Sequence, residues 1–386
     1  MSLPTFLVTD RNLQALGALH GWTETEVTLN FNAPASGSLT IPARPEVMAL
    51  LQPGHRVVMI RDKQVWSAGP LEVPVDYDWS ADQNPGDGTV TVHWSDDLAV
   101  VAGRITWPVP GSGWTSQLGF TWRQINATNA ETIIRTLVNE NAGPGALTVR
   151  RVPGLVLGSV AGVGTSTTVR TRFEALLDVC RNVAAAGGGL GFRTRQVGAQ
   201  ILFEVYQPAD LTDTARFSKG LGNLRSLSLQ TGAPRATHAL VAGTETEGST
   251  SRTFVERADT AAAATWWRVE QYLDGGAPNN LQGELAAAGD AELAETAEQV
   301  ELSTTTVDTP TLRAGVDYGL GDRVTVALPH GIEVADVVRA IHLTATPETG
   351  ELVTAVIGAQ GATSDPQTVR VLRDLTRRLG RLETRR

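Results

Sequence analysis

LLQPGHRVVMIRDKQVWSAGPLEV (50–73) and DYGLGDRVTVALPHGIEVADVVRAI (317–341) carry one phrase twice. In each, a glycine (Gly54, Gly321) is followed by an arginine (Arg56, Arg323) and then by a valine that opens an apolar run (Val57, Val324). At the same distance beyond the two glycines stand Gly69 and Asp336, each inside a second apolar run. A turn glycine between alternating runs is the mark of a β-hairpin. Two readings are open: unrelated hairpins with a similar start, or a duplicated β-barrel with one copy near each end of the chain.

Working outward, TVTVHW (89–94) places Val90, Val92 and Trp94 on one face of a strand. DWSADQNPGDG (78–88) gathers turn residues and reads as a long hairpin loop. Residues 1–107 therefore read as an N-terminal domain of strands and turns, the first barrel on the duplication reading, and PVPGSG (108–113) as a linker. The texture then changes. NATNAETIIRTLVNENAGPG (126–145) offers Thr128 or Asn129 as a cap, spaces Ile133, Ile134, Leu137 and Val138 along one helical face, and stops at Gly-Pro. A second helix runs from about 173 to 186 and ILFEVYQP (201–208) is a strand, so 114–212 is a small α+β domain. Strands return over 216–362, the second barrel on the duplication reading, with a helical insertion near 281–302. The fold class is mainly β with an α+β insertion and a C-terminal amphipathic helix, and on the duplication reading the insertion lies between two β-barrel domains.

That helix spans 366–386. Pro366 suits a first helical turn, and Ser364 or Asp365 can cap it. Leu372, Leu375, Leu379 and Leu382 recur at intervals of three, four and three, which puts them on one stripe. Seven arginines face only Asp374 and Glu383 in this segment. The stripe either docks on its own domain or serves as an assembly interface at a symmetry centre or against a neighbouring protein, with the arginines toward acidic groups.

Composition narrows the function. The chain is 41% hydrophobic and 19% charged, which predicts folded domains rather than disorder. No apolar run reaches the roughly 20 residues of a membrane helix, and MSLPTFLVTDRN lacks the regions of a signal peptide. A net charge of −9 argues against sequence-specific nucleic-acid binding, which needs a basic footprint. Thirty arginines against two lysines, Lys63 and Lys219, suggest a GC-rich genome. The single cysteine, Cys180, excludes an internal disulfide and a multi-thiolate metal site.

Catalytic motifs are missing. His20, His55, His93, His238, His330 and His342 are scattered, with no pair at zinc-binding spacing, and there is no Gly-x-Ser-x-Gly elbow. GLVLGSVAGVGTSTT (154–168) lacks the lysine of a phosphate loop and reads as a flexible connection. Asp76, Asp78, Asp82 and Asp87 lack the bidentate glutamate and spacing of a calcium loop. No cofactor, metal or enzymatic activity is expected. Seven of the nine tryptophans lie between Trp22 and Trp122; they suit a core or subunit interface, or alternatively stacking on cell-wall sugars.

The order of SLTIPA, LLQPGHRVVMIRDKQVWSAGPLE, FEALLDVCRNVAAAGGGLGFRTR, FEVYQPADLTDTARFSKGLGNLRSLSL and YGLGDRVTVAL…VADVVRAIHLT…GELVTAVIG resembles the tail-tip hub or minor tail proteins of long-tailed siphophages, particularly those of actinobacteria. The resemblance spans about 340 residues and brings no catalytic motif with it. It implies a structural hub, made in the host cytoplasm and placed in the virion at the tail tip (baseplate). As a homotrimer, its paired barrels make a ring of six that joins a six-fold tube to a three-fold tip and forms part of the DNA exit channel. Implied partners are the tail tube or distal tail protein, the tape-measure protein, and downstream tip or fibre proteins. Direct binding of host glycan and cell-wall hydrolysis are the alternatives.

Overall fold

The computed structural model describes residues 3–80, 84–117, 121–243, 252–274, 282–296, 299–328 and 333–358. The chain forms two compact units, one built from Met1–Ser226 with Thr304–Gln360 and the other from Leu227–Ser303. The chain is mainly β with few helices, as the hydrophobic alternation predicts.

In the first unit, strands from the two ends of the chain share one sheet. Its path runs from Gly350–Gly358 through Glu333–Thr346, Glu24–Asn30, Ala33–Pro42, Asn84–Ser95, Gln64–Ser80, Arg56–Arg61 and Thr5–Thr9 to Ala15–Leu19. Among the described residues no ladder closes this path on itself. The two quoted segments are both antiparallel hairpins, Arg56–Arg61 with Gln64–Ser80 and Arg323–Ala327 with Glu333–Thr346.

Their registers coincide. Val57 faces Gly69 as Val324 faces Asp336, so both partners shift by 267 residues (57 to 324, 69 to 336). Met59 faces Ser67 as Val326 faces Val334. Gly54 and Gly321 both enter with φ in the left-handed region, 85° and 87°, where a side chain is disfavoured. The Leu71 amide donates to the His55 carbonyl at 3.0 Å and the Val338 amide to that of Asp322 at 2.9 Å, one hydrogen bond in two places. In both copies the long strand runs on to pair a third, Leu71 with Trp94 and Val338 with Ile357. The outer neighbours differ: Thr5–Thr9 is antiparallel to the first hairpin, whereas Arg216–Ser218 is parallel to the second.

Burial of aromatics holds the N-terminal strands together. Trp94 is fully buried and meets Phe6 edge-on at 6.0 Å, while Phe6 meets Trp22 at 5.7 Å. The indole N–H of Trp94 donates to Ser67 Oγ at 3.1 Å, so the ring leaves no polar group unpaired. Gly37, directly opposite Trp94, makes room for it; a Cβ there would lie 2.2 Å from the indole.

Two helices form where the spacing predicts them. Asn129 caps the helix Ala130–Asn141 by accepting the Glu131 amide at 2.9 Å, and the second helix is Leu176–Ala186. Ile133, Ile134, Leu137, Val138, Cys180 and Phe203 are buried in one cluster that also takes in Leu98 and Val101 from the preceding strand-rich segment.

Three local expectations change. The 78–88 hairpin has long arms, not a long loop: strands reach Ser80 and resume at Asn84, and these two residues face each other. Alternating Tyr77, Trp79 and Thr89 favour continued pairing over the turn residues around them. The glycine-rich 154–168 stretch is pinned rather than loose. Leu155–Leu157 pairs with Ile201–Phe203, and the buried Glu131 carboxylate accepts the amides of Ala161 (2.8 Å) and Val163 (3.0 Å). The helix expected over 281–302 is Gln282–Thr296, and Gln299–Thr306 is a strand, where β-branched Val300 and Thr304–Thr306 resist the helix.

In the second unit His238–Ala242 is the central strand, antiparallel to Phe254–Ala258 and parallel to Glu270–Asp274. The helix Gln282–Thr296 covers one face of this sheet. Gly289 lets it approach Val241 and Arg257, and Leu285 is fully buried.

Candidate functional site

The expected interface residues Leu372, Leu375, Leu379 and Leu382 lie outside the described residues. The described part of the first unit contains two buried ion pairs and a cleft, all where strands distant in sequence converge.

The first pair follows from the first hairpin. Arg56 begins a strand whose side chains are nearly all buried, so its guanidinium is drawn inside. It donates to both oxygens of Asp97, at 2.7 and 2.6 Å, and also to Thr9 Oγ1 and Gln196 Oε1. Burial pushes the Asp97 carboxyl up, and the adjacent Arg56 charge and hydrogen bonds pull against it. A buried pair of this kind adds little net stability, but losing one partner strands a charge, so it enforces one arrangement of the elements it joins. The second pair spans the chain. Arg61 Nη2 donates to Glu351 Oε1 at 2.8 Å and Nε to Oε2 at 3.0 Å, both side chains nearly sealed from water, with Trp66 under the guanidinium at 5.1 Å. The hydrogen bonds that Arg61 donates to Glu351 hold its pKa above its ordinary value.

Between the sheet and the strands Gly191–Val197 and Gln200–Tyr206 lies a cleft of about 310 Å³, lined in part by Trp66, Asp96, Arg193, Arg195, Gln196 and Tyr206. Its charges are matched locally. Glu204 accepts from Arg195 at 2.7 Å and Arg193 at 3.2 Å; burial raises its pKa, but the two arginines outweigh this and hold it below the usual range. Tyr206 donates to the Leu320 carbonyl at 2.9 Å, and burial pushes its phenol up to about 12. Asp96 caps the short helix Asp97–Ala102 through the Leu98 amide at 3.2 Å, and burial raises its carboxyl to about 7. The cleft is thus a polar junction in which one carboxyl titrates near neutrality. Among the described residues no three His, Cys, Asp or Glu side chains are grouped to hold a metal ion, and no helix is long and apolar enough to cross a membrane.

Sequence reading marked Arg56 only as part of a repeated phrase, and it missed Arg61, Asp97 and Glu351. A charged residue inside an apolar strand run was the available signal. The tryptophans divide: Trp22 and Trp94 are core, whereas Trp114 keeps 77% of its surface exposed.

A family model described as Siphovirus ReqiPepy6 Gp37-like protein matches residues 5–359. No curated protein matches the sequence. Among solved structures the chain is similar to the 43 kDa tail protein of prophage MuSo2 from Shewanella oneidensis, at 11% identity over 92% of this chain and 97% of that one, with a TM-score of 0.58. It is similar to the tail protein from Neisseria meningitidis MC58, at 13% identity over 93% and 98%, with a TM-score of 0.55. It is also similar to prophage tail protein gp18 from Listeria monocytogenes EGD-e, at 10% identity over 97% and 99%, with a TM-score of 0.50. At these identities the likeness is one of fold.

Proposed function

The chain belongs to the Siphovirus ReqiPepy6 Gp37-like protein family, and from that membership we propose that it is a non-enzymatic structural subunit of a phage tail tip, a hub that acts as a homotrimer. The observation that carries the reading is the shared register of the two hairpins at a constant shift of 267 residues (57 to 324, 69 to 336). A chain with two equivalent modules presents six of them when three copies close a ring, so one surface matches a six-fold tube and the opposite one a three-fold tip. Each hairpin would belong to one of two barrel-type modules, 1–107 and 216–362, with 114–212 between them. The tube or distal tail protein and the tape-measure protein would meet the ring on one side, and downstream tip or fibre proteins on the other. The net charge of −9 suits the wall of a channel through which DNA slides. The arginine bias supports an actinobacterial host. Leu372, Leu375, Leu379 and Leu382 are assigned to contacts between subunits.

Immunogold labelling of intact virions tests the location. Gold confined to the end of the tail distal to the capsid supports the proposal, and gold along the shaft or on the capsid overturns it.

A second reading, direct binding of host cell-wall glycan, has exposed Trp114 in its favour, because an exposed indole is a platform for sugar rings. A glycan array separates the readings: a host wall glycan bound by the purified chain and lost in Trp114→Ala supports the second.

A further inference from the structure

Among the described residues, the three-stranded sheet of the second unit has one face covered by a helix and one that nothing covers. Successive side chains of a strand alternate between faces. Val241, against Gly289 of the helix, and Arg257, paired with Asp290 of the same helix at 2.6 Å, mark the covered side. The opposite side carries Leu240 on the central strand, 41% exposed, with Glu256 and Tyr272 as its direct neighbours on the two flanking strands. Phe254 (51% exposed) and Tyr272 (54% exposed) extend the apolar area. Around it the charges are paired within the face: Arg252 with Asp274, and Arg268 with both Glu256 and Glu270. An apolar centre within a rim of satisfied polar groups has the anatomy of a protein interface.

Charge identifies the occupant. Residues 227–303 hold twelve Asp and Glu against four arginines, a net of −8, whereas residues 366–386 hold seven arginines against two acids, a net of +5. That segment also carries the leucine stripe Leu372, Leu375, Leu379 and Leu382. We propose that the open face around Leu240, Phe254 and Tyr272 is the docking surface for the C-terminal segment, residues 366–386, of a second copy of this chain. The leucines cover the apolar centre, and the net negative charge of the unit attracts the arginine-rich segment. The proposal deepens the subunit-contact reading of the leucine stripe and rests on it for the choice of a second copy.

Cysteine crosslinking of full-length chains tests it. Cys180, the one native cysteine, is buried, with its thiol pushed up to about 12, so it stays a spectator. Leu240→Cys and Leu379→Cys chains are prepared separately, mixed at high concentration and mildly oxidised. A covalent heterodimer is expected, its yield falling as salt rises above ~0.1 M and shortens the screening length below ~10 Å. Leu379→Cys mixed with Trp114→Cys is expected to give none. Absence of the Leu240–Leu379 heterodimer overturns the proposal, as does equal crosslinking to position 114. A double variant that closes only within one chain overturns the assignment to a second copy. The hub reading fails separately, by the position of the chain in the virion.

Discussion

Arg56 and Arg323 stand at the same place in two hairpins, each just beyond a left-handed glycine, yet Arg56 is buried against Asp97 at 2.6 Å while Arg323 lies in solvent 3.9 Å from Asp210. One backbone device therefore supports two environments. Its first copy is locked into the core and its second presents the same side chain at the surface. Arg56→Ala should cost about 3–5 kcal/mol, because Asp97 is left charged and unpaired in the interior. Arg323→Ala should cost less than about 1 kcal/mol, the range of an exposed ion pair. Urea unfolding of the two purified variants measures both, and equal losses would contradict the burial difference.

The paired glycines give a second contrast. At Gly54 a Cβ would meet nothing within 4 Å, so Gly54→Ala pays only for the left-handed backbone, about 1–2 kcal/mol. At Gly321 the same atom would sit 2.3 Å from the Phe31 ring. Overpacking adds about 1–3 kcal/mol, so Gly321→Ala should be the more destabilising by at least ~1 kcal/mol. Thermal unfolding orders the two, and the reverse order would refute the Phe31 contact.

Asp96 sets a pH dependence. Its carboxyl is raised to about 7 in the folded chain, above the ~3.9 of an unfolded aspartate. Between those values the folded state holds a proton that the unfolded state has lost, so stability falls as pH rises from about 4 to 7. Asp96→Asn cannot ionise and still accepts the Leu98 amide as a cap. The variant should match the parent near pH 4 and exceed it above pH 7 by about 2 kcal/mol. That is less than the ~4 kcal/mol that a rise from ~3.9 to about 7 is worth, because Asp96 retains some contact with water. Chemical unfolding across this range checks it, and parallel pH profiles would show that Asp96 titrates normally.

What was legible in the sequence is what local geometry dictates. Gly54 and Gly321 announced the hairpins because a turn entering at positive φ selects glycine, and Asn129 announced the helix Ala130–Asn141 because its side chain replaces a missing backbone acceptor. The partners of Arg56 and Arg61 were not legible. Asp97 and Glu351 lie 41 and 290 residues away, and only the assembled sheet brings them near. The end of the helix Gln282–Thr296 was misjudged because alanine- and glutamate-rich sequence continues past the point where β-branched residues take the chain into a strand.

Removing the C-terminal segment tests its proposed role in assembly. A chain truncated after Thr363 should keep the unfolding transition of the parent, since the described core ends at Gly358. It should nevertheless fail to complement a phage lacking the gene, with tips missing this protein or the one below it. Plaque counts and micrographs of lysates decide the matter; infectious tails of normal appearance would remove the segment from assembly.

The most direct test of the duplicated-hub account is the number and arrangement of copies in a cryo-EM reconstruction of the tail tip. The account gives three copies around the axis, with Arg56–Arg61/Gln64–Ser80 and Arg323–Ala327/Glu333–Thr346 alternating at six nearly equivalent positions below the tube. Six copies, a single copy, or two hairpins at unrelated radii would contradict it.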